Sequence, residues 1–235
     1  MYTFLLFDLD NTLLDYGKSE KESMKGAMDE CGLSAKAGFD WDTFWQTYLN
    51  QSSYFWERRV ALRLGGLDVL KHALSATFNE IFTDKTIDEA AVQQLVNAYW
   101  ERFCTSCYYE EGSPELIQWA KSHYKLGIVS NGIGEAQRRR LKSAGMYEAF
   151  DSLIFSDEAG VYKPDPRIFQ MAIKQLGARP EQVLYIGDSL HDDYQGAKNA
   201  GIDFCWYNPK GLDAGDASPL HIIHRLSELK AWLRA

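Results

Sequence analysis

The sequence predicts an α/β protein in which a parallel sheet, covered by helices on both faces, is interrupted by an all-helical insertion. In the second half of the chain, strand and helix patterns alternate at short spacing, which is typical of a parallel sheet between two helical layers. Over most of the first half, strand patterns are missing and amphipathic helical spacing replaces them. We therefore predict an α/β core domain formed by residues 1–16 and 105–235, and an inserted helical domain over residues 17–104.

The first strand is predicted from Phe4 to Phe7, a run of aromatic and branched residues that is too short for a helix. Two acids follow it, Asp8 and Asp10, whose carboxylates can converge where the strand ends. Carboxylates this close to a core repel each other unless a cation, a shared proton or a phosphate-centred site compensates their charge. The pair therefore suits a hard metal ion, although a simple helix cap formed by Asp10, Asn11 or Thr12 is the alternative at this point.

The inserted domain is predicted to contain four or so helices. Three of them span residues 18–31, 67–82 and 86–103, and another begins at residue 40. The last of them opens on a pattern typical of a capping box at Thr86. The domain is rich in aromatic residues, most of which we expect to fill its core, while a few could stack a flat ligand such as a nucleobase. Trp56, Arg58 and Arg59 are candidates for contact with an anionic substrate, although such charges usually form a solvated helix face.

After the insertion the chain alternates between helices and strands. The predicted strands span residues 126–130, 152–156, 182–187, 202–207 and 221–224. The predicted helices span residues 113–123, 134–144, 165–176, 193–200 and 226–233. Ligands of such sheets bind outside the carboxyl ends of the strands, so the residues that follow the strands are the candidates for a functional site.

Polar and charged side chains follow four of the predicted strands. They are Asp8 and Asp10, Ser130 and Asn131, Lys163, and Asp188 with Asp193. Each has a simpler interpretation, because aspartate, serine and asparagine cap helices and turns and lysines are mostly exposed. Together, however, they place acids, a hydroxyl, an amide and a lysine on one rim of one sheet. This set suits phosphoryl transfer, since it offers donors and positive charge for a phosphate, carboxylates for Mg²⁺ and a carboxylate nucleophile.

These residues form four motifs in a fixed order along the chain. The motifs are Asp8-x-Asp10-x-Thr12, Ser130-Asn131-Gly132, Lys163-Pro164 and Gly187-Asp188-Ser189 with Asp193. In this order and on these elements they resemble the motifs of the haloacid dehalogenase superfamily, specifically its phosphatases with a helical cap. The resemblance covers nearly the whole chain, and it implies a Rossmann-like parallel sheet with a four-helix cap domain inserted after the first motif.

The resemblance also implies how the reaction would proceed. Asp8 would be the nucleophile that forms an aspartyl-phosphate. Asp10 would be the general acid for the leaving group and then the base for the attacking water. Ser130 and Asn131 would bind the transferred phosphoryl group, and Lys163 would steady both that group and Asp8.

A magnesium ion is the cofactor that the resemblance implies. It would be held by the carboxylates of Asp8 and Asp188 and by the backbone carbonyl of Asp10. Thr12 would support the loop after the first strand. Asp193 would act in support of the metal, through water or through the lysine of the third motif.

The acid at Asp10 separates two chemistries within the superfamily. Dehalogenases of the superfamily lack an acid at this position, because a halide leaving group needs no proton, so Asp10 favours phosphate esters. The stretches that begin at Ser130 and Cys205 (Ser-Asn-Gly-Ile-Gly and Cys-Trp-Tyr-Asn) resemble the branch that hydrolyses pyrimidine and non-canonical nucleoside monophosphates. The expected substrate is therefore a nucleoside 5′-monophosphate. A sugar phosphate or phosphoglycolate is the alternative within enzymes, and a catalytically silent ligand-binding module is the alternative outside them.

Composition limits the partners and the compartment. The net charge of −8 argues against a nucleic-acid polymer or an anionic membrane as partner, so we expect a small phosphate monoester. The basic run Arg138–Arg140 is interpreted as a solvated helix face. We expect neither a signal peptide nor a membrane span. Four sparse cysteines fit a reducing cytosol, and hence a cytoplasmic location. Cys104 and Cys107 lack the second pair that a zinc site needs.

Overall fold

The computed structural model of the protein describes residues 2–82 and 87–234. The chain divides into two compact units, one formed by Met1–Ser19 with Cys107–Ala235 and the other by Glu20–Ser106. The first is an α/β unit with a parallel sheet and the second is helical, which confirms the predicted fold class. The predicted domain limits, and the role of the helical unit as a cap, stay predictions.

The helical unit is built from amphipathic helices with an aromatic core. Its helices are α1 (Tyr16–Glu30, whose first residues belong to the α/β unit), α2 (Trp41–Leu62), α3 (Gly66–Ile81) and α4 (Glu89–Thr105). Asp40 caps α2 by accepting a hydrogen bond from the backbone N–H three residues later at 2.9 Å, as aspartate commonly does at the start of a helix. Phe44 and Phe78, on α2 and α3, have ring centroids 5.6 Å apart. Trp45 and Tyr48 are also buried, which confirms that these aromatic residues fill the core.

The sheet of the α/β unit has six parallel strands within the described residues. They are β1 (Phe4–Phe7), β2 (Lys125–Ser130), β3 (Ser152–Phe155), β4 (Val183–Gly187), β5 (Asp203–Tyr207) and β6 (His221–Ile223). Their order is β3-β2-β1-β4-β5-β6, so the first strand lies inside the sheet. Phe7 of β1 pairs with Ile128 of β2 on one side and with Ile186 of β4 on the other. Leu5, Leu6 and Phe7 are fully buried.

Helices cover both faces of this sheet. They are α5 (Ser113–Ala120), α6 (Gly134–Ser143), α7 (Ser156–Ala159), α8 (Pro166–Leu176), α9 (Gln195–Ala200) and α10 (Leu226–Leu233). Because successive side chains of a strand point to opposite faces, β1 contributes to two cores. Leu5 packs in one core with Leu116 of α5, and Leu6 packs in the other with Phe169 of α8.

Three helices bear on the sequence expectations. The capping box predicted at Thr86 lies outside the described residues, and Asp88 is the N-cap of α4. Helix α5 begins at Ser113, as predicted, but ends at Ala120 and not at residue 123. Gly112, before it, has φ 81°, where glycine adopts the left-handed backbone without strain. Helix α7 was not predicted, because its four residues are too few to show helical periodicity.

A π-helical turn, Leu190–Tyr194, precedes α9 where the sequence predicts an ordinary helix start. Ser189 fixes this turn. Its hydroxyl accepts a hydrogen bond from the N–H of Asp192 at 3.0 Å, and its own N–H donates to the carboxylate of Asp193 at 2.9 Å. Such turns are rare and are often found at functional sites. Here the turn folds Asp193 back toward the end of β4.

Two findings bear on the predicted environment of the chain. Within the described residues, no helix is long and apolar enough to cross a membrane. The four cysteines are free thiols, and Cys104 and Cys205 are buried. The cytoplasmic location itself stays a prediction.

Candidate active site

The predicted site residues of the α/β unit follow neighbouring strands at one edge of the sheet. Asp8 follows β1, Ser130 ends β2 and Asp188 follows β4. These three strands pair in register, so their ends reach the same edge. The backbone N–H of Asp8 still donates to the carbonyl of Ile186 at 2.8 Å, which extends the pairing of β1 and β4 up to the first acid.

Lys163 reaches this edge from the loop between α7 and α8. Its Nζ donates hydrogen bonds to Oδ1 of Asp8 at 2.7 Å, to Oδ1 of Asp193 at 2.7 Å and to the hydroxyl of Tyr185 at 3.1 Å. Burial lowers the pKa of Lys163, but the charges of Asp193 and Asp8 outweigh burial and hold that pKa above its usual range. Lys163 is therefore a buried, fixed positive charge that joins two acids.

Asn131, directly after β2, fixes the loop that carries Lys163. Its Oδ1 accepts from the backbone N–H of Lys163 at 2.8 Å. Its Nδ2 donates to the carbonyl of Lys163 at 3.1 Å and to Asp192 at 3.3 Å. Both polar atoms of the Asn131 side chain are thus engaged by the lysine loop and the π-helical turn. The amide positions Lys163, and a direct contact of Asn131 with a phosphoryl group stays a prediction.

Three acids form a cluster that fits a divalent cation. One carboxylate oxygen each from Asp8, Asp188 and Asp193 lies within 4.8 Å of the other two, and oxygen atoms are the ligands that Mg²⁺ takes. Three carboxylates against the single ammonium of Lys163 leave an excess of negative charge. A divalent cation would compensate that excess, so the donor set fits the predicted magnesium ion.

The pKa shifts of Asp8 and Asp188 also favour a cation at this cluster. Burial, followed by repulsion from Asp193, raises the pKa of Asp188 to about 7 against an opposing effect of Lys163. Burial likewise raises the pKa of Asp8 well above its usual range, although Lys163 opposes the shift. Both carboxylates are thus ionised at a cost, which a nearby cation would reduce.

Asp193 is already satisfied by protein donors. Its Oδ1 accepts from Lys163 and lies 2.9 Å from the hydroxyl of Tyr185, and its Oδ2 accepts from the N–H of Ser189. The residue is fully buried. Direct ligation of a metal by Asp193 would compete with these hydrogen bonds, which favours the supporting role predicted for it.

Asp10 is held by two side chains of α6. Nε2 of Gln137 donates to Oδ2 of Asp10 at 2.6 Å. Nη1 of Arg140 donates to Oδ1 of Asp10 and also to Oε1 of Gln137 at 2.8 Å. Both carboxylate oxygens of the second acid are therefore engaged, one by a neutral amide and one by a guanidinium.

The interpretation of Arg138–Arg140 as a solvated helix face is wrong for Arg140, which is completely buried. The side chains of Arg138 and Arg139 are 32% and 30% exposed, and each pairs with a glutamate. Helical geometry explains the difference, because residues three apart share a face. Arg140 lies on the same inward face as Gln137, whereas Arg138 and Arg139 lie on other faces of α6.

Two hydroxyls of the motifs are buried without a hydrogen-bond partner among the described residues. They are Oγ of Ser130 and Oγ1 of Thr12. Thr12 lies in the tight turn after the second acid, in which Asn11 adopts the left-handed backbone at φ 58°. A buried hydroxyl without a partner costs free energy. The Ser130 hydroxyl, at the edge of the sheet, is therefore available to an acceptor such as a phosphoryl oxygen.

The predicted substrate-binding residues of the helical unit all lie on α2. The guanidinium carbon of Arg59 lies 4.1 Å from the ring centroid of Trp56, and Nη1 of Arg59 donates to the Trp56 carbonyl at 2.6 Å. Arg58 stacks in the same way on Tyr54, also at 4.1 Å. These cation–π contacts present positive charge beside aromatic rings. Their contact with a substrate stays a prediction.

Three further residues belong to the site. Tyr185 and Gln137 were not predicted as site residues, and Arg140 was assigned to a solvated helix face. Tyr185 carries a hydroxyl into an otherwise apolar strand, and such a buried hydroxyl requires a partner. Gln137 and Arg140 are polar residues three apart on a helix that follows a motif. The sequence shows the hydroxyl in an apolar strand and the polar pair on a helix, but it does not show which residues they contact. Those contacts depend on how α6 and β4 pack.

Known proteins match this chain over most of its length. A family model described as haloacid dehalogenase-like hydrolase matches residues 2–201. Pyrimidine 5′-nucleotidase PynA of Streptococcus pneumoniae is 28% identical over 231 residues, which cover 97% of this chain and 93% of the relative. Glyceraldehyde 3-phosphate phosphatase of Methanopyrus kandleri is 30% identical over 206 residues, which cover 86% of this chain and 82% of the relative.

Solved structures share the fold over the whole chain. The HAD-hydrolase YfnB of Bacillus subtilis, solved with bound magnesium, has a TM-score of 0.83 at 26% identity and covers 100% of this chain and 99% of its own. A 2-haloacid dehalogenase of Pseudomonas syringae has a TM-score of 0.70 at 26% identity with the same coverage. The matches thus include both phosphatases and dehalogenases, so the residues of the site have to decide between the two chemistries.

Proposed function

The chain belongs to the haloacid dehalogenase-like hydrolases, and we propose that it is a Mg²⁺-dependent phosphomonoesterase whose favoured substrate is a nucleoside 5′-monophosphate. The observation that carries the proposal is the second acid, Asp10, two residues after Asp8 and held by Gln137 and Arg140. Hydrolysis of a phosphate ester releases an alkoxide that needs a proton, so an acid beside the nucleophile serves this reaction. A halide leaving group needs no proton.

In the first half-reaction, a carboxylate oxygen of Asp8 attacks the phosphorus. A P–O bond to Asp8 forms, and the P–O bond to the leaving group breaks. Asp10, protonated at this stage, gives its proton to the leaving oxygen. Lys163, 2.7 Å from Oδ1 of Asp8, favours the ionised nucleophile and holds its orientation. The products are the free alcohol and an aspartyl-phosphate.

In the second half-reaction, Asp10 is a carboxylate and takes a proton from water as the water oxygen attacks the phosphorus. The P–O bond to Asp8 breaks, so the Asp8 carboxylate is restored and inorganic phosphate leaves. Asp10 ends this half-reaction protonated.

Asp8 and Asp188, with the backbone carbonyl of Asp10, would hold the Mg²⁺. When bound, the ion would neutralise charge on the phosphoryl oxygens and orient the group. The clustered carboxylates support this assignment, as does the magnesium bound to the related hydrolase YfnB. The buried hydroxyl of Ser130 and the ammonium of Lys163 bind the remaining phosphoryl oxygens.

Substrate choice is the finer part of the proposal. The relative PynA, named as a pyrimidine 5′-nucleotidase, supports a nucleoside monophosphate, and the Trp56–Arg59 stack of α2 offers an aromatic face and positive charge. The phosphatase of Methanopyrus kandleri, named for glyceraldehyde 3-phosphate, keeps a phosphorylated sugar-type substrate as the second candidate. We propose that the helical unit, as a cap domain, selects between them, and that the enzyme works in the cytoplasm.

The test is phosphate release from a panel of nucleoside 5′-monophosphates, sugar phosphates and phosphoglycolate, measured with Mg²⁺ and with EDTA. We expect Mg²⁺-dependent release with a preference for nucleotides. Halide release from a 2-haloacid is measured in parallel. Activity on sugar phosphates alone would support the phosphatase activity but contradict the proposed nucleotide substrate. Halide release without phosphate release would contradict the whole proposal.

A further inference from the structure

Helix α6 holds the carboxylate of Asp10 by both of its oxygens. Gln137 donates to Oδ2 at 2.6 Å, Arg140 donates to Oδ1, and Arg140 also donates to Oε1 of Gln137 at 2.8 Å. The three side chains form a closed triangle. Because Oε1 of Gln137 accepts from the guanidinium, its Nε2 has to face Asp10. The triangle therefore fixes the orientation of the amide as well as that of the acid.

Burial makes this arrangement specific. Arg140 is 0% and Gln137 is 3% exposed. A buried guanidinium is costly unless it is paired and hydrogen-bonded. Replacing both partners of such a pair by hydrophobic residues of similar volume is often neutral, whereas removing one partner leaves a buried charge and is strongly destabilising. Stability alone therefore does not require an ion pair here, and what the pair of Arg140 and Asp10 adds is a fixed place for the acid.

Helix α6 also connects the acid to the second motif. It begins two residues after Gly132, in the turn that follows β2. A Cβ at Gly132 would lie 2.7 Å from Nε2 of Gln137, closer than real Cβ contacts. The missing side chain of Gly132 leaves the space in which the amide of Gln137 reaches Asp10. Helix α6 therefore begins next to the turn that follows Ser130, and two of its side chains hold Asp10.

We propose that Gln137 and Arg140 are positioning residues for Asp10, which set the direction of its carboxylate for proton transfer to the leaving group. The inference rests on the proposed phosphatase function. It assigns no contact with substrate to either residue. Its consequence is selective, because proton transfer limits the reaction only where the leaving group is a poor one.

The test compares two substrates that share the phosphoryl group and differ in the leaving group. One is 4-nitrophenyl phosphate, whose nitrophenolate leaves without much help. The other is the alkyl phosphate that the wild-type protein hydrolyses fastest. The comparison uses kcat/KM, which covers only the steps up to release of the alcohol, because both substrates share the later hydrolysis of the aspartyl-phosphate. We expect Gln137→Met and Arg140→Met to lower kcat/KM for the alkyl phosphate by about 10- to 100-fold and kcat/KM for 4-nitrophenyl phosphate by less than about threefold.

Two variants serve as references. Arg139→Met removes a partly exposed arginine from the same helix and should leave both substrates unaffected. Arg140→Lys keeps a charged donor and should recover part of the alkyl phosphatase activity. An equal fall in kcat/KM for both substrates in Gln137→Met would overturn the positioning role while leaving the phosphatase function intact. A wild-type protein that hydrolyses neither substrate would instead overturn the function.

A second readout needs no substrate and covers the case in which Arg140→Met folds poorly. Urea unfolding is measured for Asp10→Asn, Gln137→Met and the double variant. Because the two side chains are in contact, we expect the effects on the unfolding midpoint to be non-additive. The pair Asp10→Asn and Arg139→Met, which the structure does not bring together, should be additive. Additive effects in both pairs would contradict the triangle itself.

Discussion

Nζ of Lys163 lies 2.7 Å from Oδ1 of Asp8, and the two side chains are only 3% and 9% exposed. The loop before α8 thus delivers a buried cation to the residue at which the proposed reaction begins. The same ammonium also contacts Asp193, so removing it leaves two buried carboxylates without their shared partner.

Lys163→Met should therefore impair both stability and activity. Leaving buried charges uncompensated typically costs about 3–5 kcal/mol, and the nucleophile loses the charge that favours its ionised form. We expect a fall in kcat of at least about 100-fold and a lower midpoint of urea unfolding. Lys174→Met, at an exposed position of α8, is the matched control and should change neither. Normal turnover by Lys163→Met would exclude the lysine from the mechanism.

Asp188 should make the metal-free protein less stable as the pH rises. Burial and Asp193 raise the pKa of Asp188 to about 7, above its value in the unfolded chain. The protonated form is favoured in the folded state, so this contribution to stability is fully present below about pH 4 and is lost as the pH rises to about 7 and beyond.

Asp188→Asn mimics the protonated carboxyl and should therefore keep this contribution at every pH. In EDTA, the variant and the wild-type protein should have similar Tm values at pH 4, and the variant should have the higher Tm at pH 8, by on the order of 5 °C. Added Mg²⁺ should raise the Tm of the wild-type protein at pH 8 and have little effect on the variant. A Tm difference between the two proteins that does not change with pH would contradict the assignment.

Gly187→Ala should destabilise the fold through Asp193. A Cβ at Gly187 would collide with the carboxylate of Asp193, which is fully buried and tied to Lys163 and Ser189. Overpacking of this kind typically costs about 1–3 kcal/mol. In Gly17→Ala, the new Cβ would come no closer than 3.8 Å to a neighbour, so that variant should be neutral or slightly stabilising. If the free energy of unfolding of Gly187→Ala equals that of the wild-type protein, Asp193 can move aside and the prediction is wrong.

The sequence predicts those features of the fold and site that depend on local pattern. An apolar run followed by two acids indicates β1 with Asp8 and Asp10 at its end, and alternating patterns indicate the parallel sheet. Parallel strands bring their carboxyl ends to one edge, so the meeting of Asp8 with Lys163, 155 residues apart, follows from the topology.

Features that depend on packing were beyond the sequence. Three consecutive arginines look alike in the sequence, yet the direction in which α6 faces the sheet decides that Arg140 alone is buried. The hydroxyl of Tyr185 contacts Asp193 and Lys163. The contact with Asp193 depends on the π-helical turn, which folds this acid back toward β4. Such pairings are set by tertiary contacts, which no local periodicity records.

The central claim is that Asp8 becomes phosphorylated during turnover. The direct measurement is a rapid acid quench of the wild-type protein with Mg²⁺ and a substrate labelled in its phosphoryl group, followed by mapping of the labelled peptide. We expect label on Asp8 in the wild-type protein, no label in Asp8→Asn, and no label when EDTA replaces Mg²⁺. Steady phosphate release without label on Asp8, or normal turnover by Asp8→Asn, would contradict it.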